Sequence, residues 1–114
     1  MVGGGAIDDT LVGSAIADLI SGLGGNDTLT GGAGSDTFFF SPGSGADTIT
    51  DFMAGVDMID LRGFAGMGYA SLADVSSHST QTGADLIIDM GGTNSIQLTG
   101  VNLASLHAAD FAFA

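Results

Sequence analysis

An all-β fold, wound as a stacked spiral of nine-residue units, is predicted by three observations. Aspartate recurs at positions 9, 18, 27 and 36 without a break in the period, and again at 47 after a two-residue slip. The residue two places after each is large and apolar: Leu11, Ile20, Leu29, Phe38 and Ile49. The residues leading up to each aspartate are rich in glycine, which reaches positive φ without strain and so builds tight turns with exposed carbonyl oxygens. Each unit therefore reads as six residues of turn and three of short strand, with the middle strand residue pointing inward. Two units make one coil of a flattened right-handed parallel β-helix, and turns eighteen residues apart stack on one edge. A flexible glycine-rich linker has no reason to keep aspartate on a period of nine with an apolar residue two places later.

Taken in order, the units begin at Gly4, Gly13, Gly22, Gly31 and Pro42. The fourth, Gly31-Gly32-Ala33-Gly34-Ser35-Asp36-Thr37-Phe38-Phe39, is the most regular. The third carries Leu23 in place of its second glycine, followed by Gly24, Gly25 and Asp27. The first two depart further: Ile7 and Ile16 stand at the fourth position, and Ser14 at the second. From Thr48 the period lapses. Residues 48–52 and 58–61 read as strands around a turn at 54–57, 71–75 as one helical turn, and 75–81 as a polar strand. Residues 84–90 place Leu86, Ile88 and Met90 on one face, 95–99 alternate Ile96 and Leu98 with polar residues, and Gly91-Gly92-Thr93-Asn94 has the composition of a hairpin loop. Residues 102–109 suit a short terminal helix with Asn102 at its N-cap. One continuous domain is expected, with repeats over 1–50 and a capping β region of hairpin or sandwich type over 51–114.

Composition points to a cation. The formal net charge is −12, with 13 acidic residues, all aspartate, against Arg62 alone. So acidic a chain excludes nucleic acid and anionic membranes as partners, since both need basic patches. No apolar run approaches the length of a membrane span, so membrane insertion is not expected. A hydrophobic fraction of 45% is too high for a disordered acidic tail. Stacked glycine turns with one carboxylate each offer hard oxygen ligands from two levels, the chemistry that calcium takes in sixes to eights. Cysteine is absent, so disulfides and thiolate zinc sites are excluded, and calcium can replace the staples that small secreted domains use. No N-terminal signal peptide is visible, and Met1 ahead of a bare repeat reads as a piece of a longer protein.

The fourth unit matches the nonapeptide G-G-x-G-x-D-x-U-x, and on it the chain resembles the RTX calcium-binding β-roll proteins. The runs 46–52 and 55–61, the hairpin and the hydrophobic terminus are similar to the end of the β-roll domain of serralysin-type secreted metalloproteases. Similar modules end secreted lipases, alginate epimerases, adhesins and toxins. The resemblance implies about three calcium ions, one between consecutive levels on an edge. Its candidate metal residues are Gly5, Ile7, Asp9, Ser14, Ile16, Asp18, Gly22, Leu23, Gly24, Gly25, Asp27, Gly31, Ala33, Asp36, Ser44, Asp47 and Asp57. Asp47 and Asp57 are implied to join the Asp27 turn in one site. It also implies a covalently attached N-terminal passenger, export by type I secretion machinery through an uncleaved C-terminal signal, and calcium-driven folding outside the cell.

The stacking assigns Asp9, Asp27 and Asp47 to one edge and Asp18 and Asp36 to the other. Asp27 is then expected to serve two sites and to be the costliest of them to lose, with Asp9 the mildest. No catalytic constellation is expected: HExxH and G-x-S-x-G are absent. His78 and His107 read as surface or packing residues, Asp85 and Asp89 as solvent-facing, and Phe38-Phe39-Phe40 as core. Arg62 either pairs with a nearby aspartate or caps a helix. Two function classes fit: a non-catalytic calcium-binding module that folds on export, and a calcium-dependent recognition module for an acidic polysaccharide or cell surface. Exposed aromatic and basic groups, for which only Tyr69 and Arg62 are available outside the phenylalanines, distinguish the second.

Overall fold

The computed structural model describes residues 2–3, 5, 8–64, 67, 69, 71–92 and 94–113. Successive units feed alternate sheets. Strands β1 (Val2–Gly3), β3 (Leu19–Ser21), β5 (Thr37–Phe39), β7 (Met58–Asp60) and β11 (Phe111–Ala112) form one sheet in that order. The other runs β2 (Thr10–Val12), β4 (Thr28–Thr30), β6 (Ala46–Ile49), β10 (Ser95–Leu98), β9 (Asp85–Asp89), β8 (Ser79–Thr82). All pairs in the first sheet are parallel, and so are β2–β4, β4–β6 and β6–β10. Only the hairpin strands β8, β9 and β10 pair antiparallel.

The register carries the repeat. Leu11 lies opposite Leu29 and Ile20 opposite Phe38, eighteen residues apart. Leu29 then meets Ile49 and Phe38 meets Ile59, so the slips at 40–42 and 50–56 are absorbed in turns while the inward residue keeps its level. The inward residues of both sheets share one core: Ile20, Leu29, Phe38, Ile49 and Ile59 are fully buried, and Leu86, Ile88, Ile96 and Leu98 extend the core into the hairpin. Burying each such side chain contributes about 1.5–3 kcal/mol.

Two local expectations change. Ser71 accepts a hydrogen bond from the Asp74 amide and caps a helix, α1 (Leu72–Ser77), that runs past Val75 because Val75 is fully buried against the core. The polar strand consequently starts only at Ser79. The expected single terminal helix is two 3₁₀ turns, Leu103–Ser105 and Ala108–Asp110. Asn102 does cap the first. The chain then extends at Leu106 to bury that side chain, while Gln81 bonds Val101 O and Leu103 N and holds the start of the segment on the sheet.

Candidate metal centre

The aspartates form two hydrogen-bonded columns. On one edge the Asp9 amide donates to Asp27 Oδ1 at 2.8 Å, and the Asp27 amide to Asp47 Oδ1 at 2.9 Å. On the other, the Asp18 amide donates to Asp36 Oδ1 at 2.9 Å, and the Asp36 amide to Asp57 Oδ1 at 2.9 Å. One oxygen of each stacked carboxylate is thus spent on the turn below. Asp57 therefore stands above Asp36 and does not join Asp27 and Asp47, because twenty-one residues separate it from Asp36 and its strand, β7, lies in the β5 sheet. The same bonds leave Asp27 one free oxygen, where the sequence suggested two levels served.

The second oxygens separate the turns into two kinds. Asp27, Asp36 and Asp47 are almost wholly buried, and their Oδ2 atoms have no hydrogen-bond partner among the described residues. A buried acceptor without a donor costs about 1–3 kcal/mol, and more when it is charged. Burial is the main cause that pushes all three carboxyls above their ordinary value, with neighbouring aspartates adding to it; Asp47 rises to about 7. By contrast, Oδ2 of Asp9, Asp18 and Asp57 accepts an amide of its own turn, from Gly5 at 2.7 Å, Ser14 at 2.7 Å and Met53 at 2.9 Å.

Glycine is needed where the levels touch. A Cβ on Gly22 would collide with the Asp27 carboxylate and one on Gly31 with that of Asp36, while Gly13 lies against the Gly31 carbonyl and Gly45 against the Gly25 carbonyl. Stacked carbonyl oxygens and three unsatisfied carboxylate oxygens thus share the two edges. Among the described residues no three acidic or histidine side chains gather, so the rest of a coordination shell must be backbone carbonyls, the hard donors that calcium accepts. The donor set fits calcium: two positive charges would neutralise the buried carboxylates that the fold otherwise leaves exposed to each other.

The other predicted residues take varied places. Gly24 and Gly25 are half-buried and Ser44 is buried in their stacked turns, while Leu23, Ala33 and Ile16 are exposed. Ile7 lies outside the described residues. Four residues went unforeseen. Asp51 accepts from the Gly31 and Gly32 amides, and Asn26 links the Asp8 carboxylate to the Ala46 amide. Asn94 accepts from Gly45, and Asp110 from Gly55 and His107, each immediately before a strand that closes one sheet's parallel series.

The sequence profile of the RTX calcium-binding nonapeptide repeat matches four copies over residues 3–38. The matched residues carry that repeat pattern over about a third of the chain. No curated protein matches the chain. Among solved structures the chain is similar in fold to the extracellular lipase LipA from Serratia marcescens, at 23% identity and a TM-score of 0.73. That match covers 97% of this chain and 20% of the lipase, so the chain spans a fifth of that protein's length. It is also similar to the AlgE6R2 subunit of the Azotobacter vinelandii mannuronan C5-epimerase, at 26% identity and a TM-score of 0.51, over 99% of this chain and 92% of that one. The chain is thus a β-roll that carries calcium-binding repeats. No helix among its described residues is long and apolar enough to cross a membrane.

Proposed function

We propose that the chain is the calcium-driven folding module of a longer secreted protein. Three ions are assigned, between the Asp9 and Asp27 levels, the Asp27 and Asp47 levels, and the Asp18 and Asp36 levels. The observation that carries this is the set of three buried, donorless carboxylate oxygens, on Asp27, Asp36 and Asp47, in a chain of net charge −12. Without metal these groups oppose the compact state, so binding free energy becomes folding free energy. Extracellular modules bind calcium with dissociation constants of about 10⁻⁴ to 10⁻³ M, which keeps such a chain unfolded where calcium is scarce and folds it outside. Type I export of a passenger, with information in the last residues, and a division into repeats over 1–50 and a cap over 51–114, belong to the same reading.

The recognition alternative gains nothing specific. Tyr69 is buried, with its hydroxyl donating to the Asp89 carbonyl at 2.8 Å, and Arg62 is held in a two-pronged contact by Asp60. Circular dichroism in chelator and in millimolar calcium tests the proposal. A cooperative gain of strand signal on adding calcium is expected, and an unchanged spectrum would sink it.

A further inference from the structure

Six turns carry a column aspartate, and one backbone angle sorts them. The residue four places before the aspartate is left-handed in three turns: Leu23 at φ 61°, Gly32 at φ 81° and Gly43 at φ 92°. Those are the turns of Asp27, Asp36 and Asp47, whose Oδ2 atoms lack a donor. In the other three this residue is Gly5, Ser14 or Met53, none has positive φ, and each closes its amide onto Oδ2. Closure is not merely a consequence of lying at the end of the stack. Asp47 and Asp57 are each the last aspartate of their column, yet the Asp47 turn is open and the Asp57 turn, bonded to the Asp36 amide at 2.9 Å, is closed. Nor does glycine alone decide, since Gly5 closes and Leu23 opens.

Leu23 is the telling residue. It is the sole non-glycine with positive φ among the described residues, a conformation that clashes with the Cβ of an L-residue. Its side chain is 50% exposed, so burial does not repay the strain. Strain of this kind persists where the surroundings demand it, commonly at functional positions.

We infer that this residue is a gate: left-handed, it withdraws its amide and leaves the carboxylate for calcium, and otherwise its amide takes the place of the metal. The inference rests on the calcium reading and adds which turns can use it. It assigns the Asp57 turn to the closed kind, with Met53 supplying the amide, so Asp57 is a structural acceptor and not a metal ligand.

Gly43 offers a clean test, because no atom lies within 4 Å of a Cβ built there and a substitution acts on backbone conformation alone. Calcium stoichiometry and affinity are measured by calorimetry and equilibrium dialysis for the parent chain, Gly43→Val, Gly43→Asn, Gly43→Ala and Asp57→Asn. Asparagine tolerates the left-handed region and β-branched valine rejects it. The parent and Gly43→Asn should bind three ions and Gly43→Val two. Gly43→Ala should weaken one site by roughly five- to thirtyfold, and Asp57→Asn should keep all three. If Gly43→Val does not fold, the alanine–asparagine contrast decides. Equal behaviour of the Gly43 variants, or loss of an ion in Asp57→Asn, overturns the gate. A parent chain that binds no calcium overturns the calcium reading instead.

Discussion

Removing the carboxylate of Asp27 or Asp36 should cost about twice as much as removing that of Asp9, and the columns supply the magnitude. Asp27→Ala deletes the acceptor of the Asp9 amide, a bond to a charged group worth about 1.5–3 kcal/mol. It also deletes one metal oxygen. An ion present at ten to a hundred times its dissociation constant stabilises by about 1.4–2.7 kcal/mol, so the total loss is about 3–6 kcal/mol in saturating calcium. That is a large share of the roughly 5–15 kcal/mol a domain possesses. Asp36→Ala makes the same two losses, with the Asp18 amide orphaned. Asp9→Ala removes the charged bond from Gly5 on the lowest described level, worth about 1.5–3 kcal/mol, and no donorless oxygen. Urea denaturation at fixed calcium, with ion counts on the same variants, checks the order. An Asp36→Ala chain no weaker than Asp9→Ala would refute the column assignment, in which the Asp36 carboxylate holds the Asp18 amide. Because the Asp27 and Asp47 sites share a turn, the losses from those two positions need not add in a double variant.

Two further outcomes follow from the same geometry. Asp47 has its folded value raised from 3.8 to about 7, so the metal-free fold holds that proton more tightly than the unfolded chain and loses stability as pH rises through this window. Residual structure in chelator should therefore be greater near the acid end of the window than above it, and calcium binding below pH 7 should release protons, read as binding heats that change with the buffer's heat of ionisation. At the C-terminus, deletion of residues 111–114 removes the buried Phe111 and β11, whose Ala112 carbonyl accepts from Leu61. Stability in calcium should fall by about 3 kcal/mol or more along with any loss of export, and an unchanged urea midpoint would show that β11 adds nothing.

Much of the fold was legible because two periods coincide. The nine-residue spacing set the strands and their eighteen-residue register, and the alternation at 86, 88 and 90 and at 96 and 98 set the hairpin's buried face. What failed to show was whatever lay off those periods. Asp57 follows a loop whose length is no multiple of nine, so its edge could not be counted forward from Asp36. Asn94 supplies one acceptor and Asp110 two from non-repetitive sequence, and nothing local distinguishes them from other polar residues. The open or closed state of a turn was equally hidden. Glycine permits both, as Gly5 and Gly32 demonstrate, and Leu23 is left-handed although its identity argues against it.

The closed and the open turns of the roll thus solve one problem by different means. Every column aspartate must satisfy two oxygens, and a stack must begin and stop somewhere. At the lower end Asp9 and Asp18 turn one oxygen to their own amides, and at the upper end Asp57 does the same while Asp110 and Asn94 cap the last turns. Asp9, Asp18 and Asp57 close their turns with hydrogen bonds alone. Among the described residues it is the turns of Asp27, Asp36 and Asp47 that are left short of donors, so the need for a cation is confined to them. Three divalent ions there would bring the formal charge from −12 to −6. The C-terminal core, built from Val75, Leu86, Ile88, Met90, Ile96 and Leu98, contains none of the donorless carboxylates. It offers β10 as a template against β6 without metal, and the cost of ordering falls on the repeats, where calcium is the ligand able to meet it.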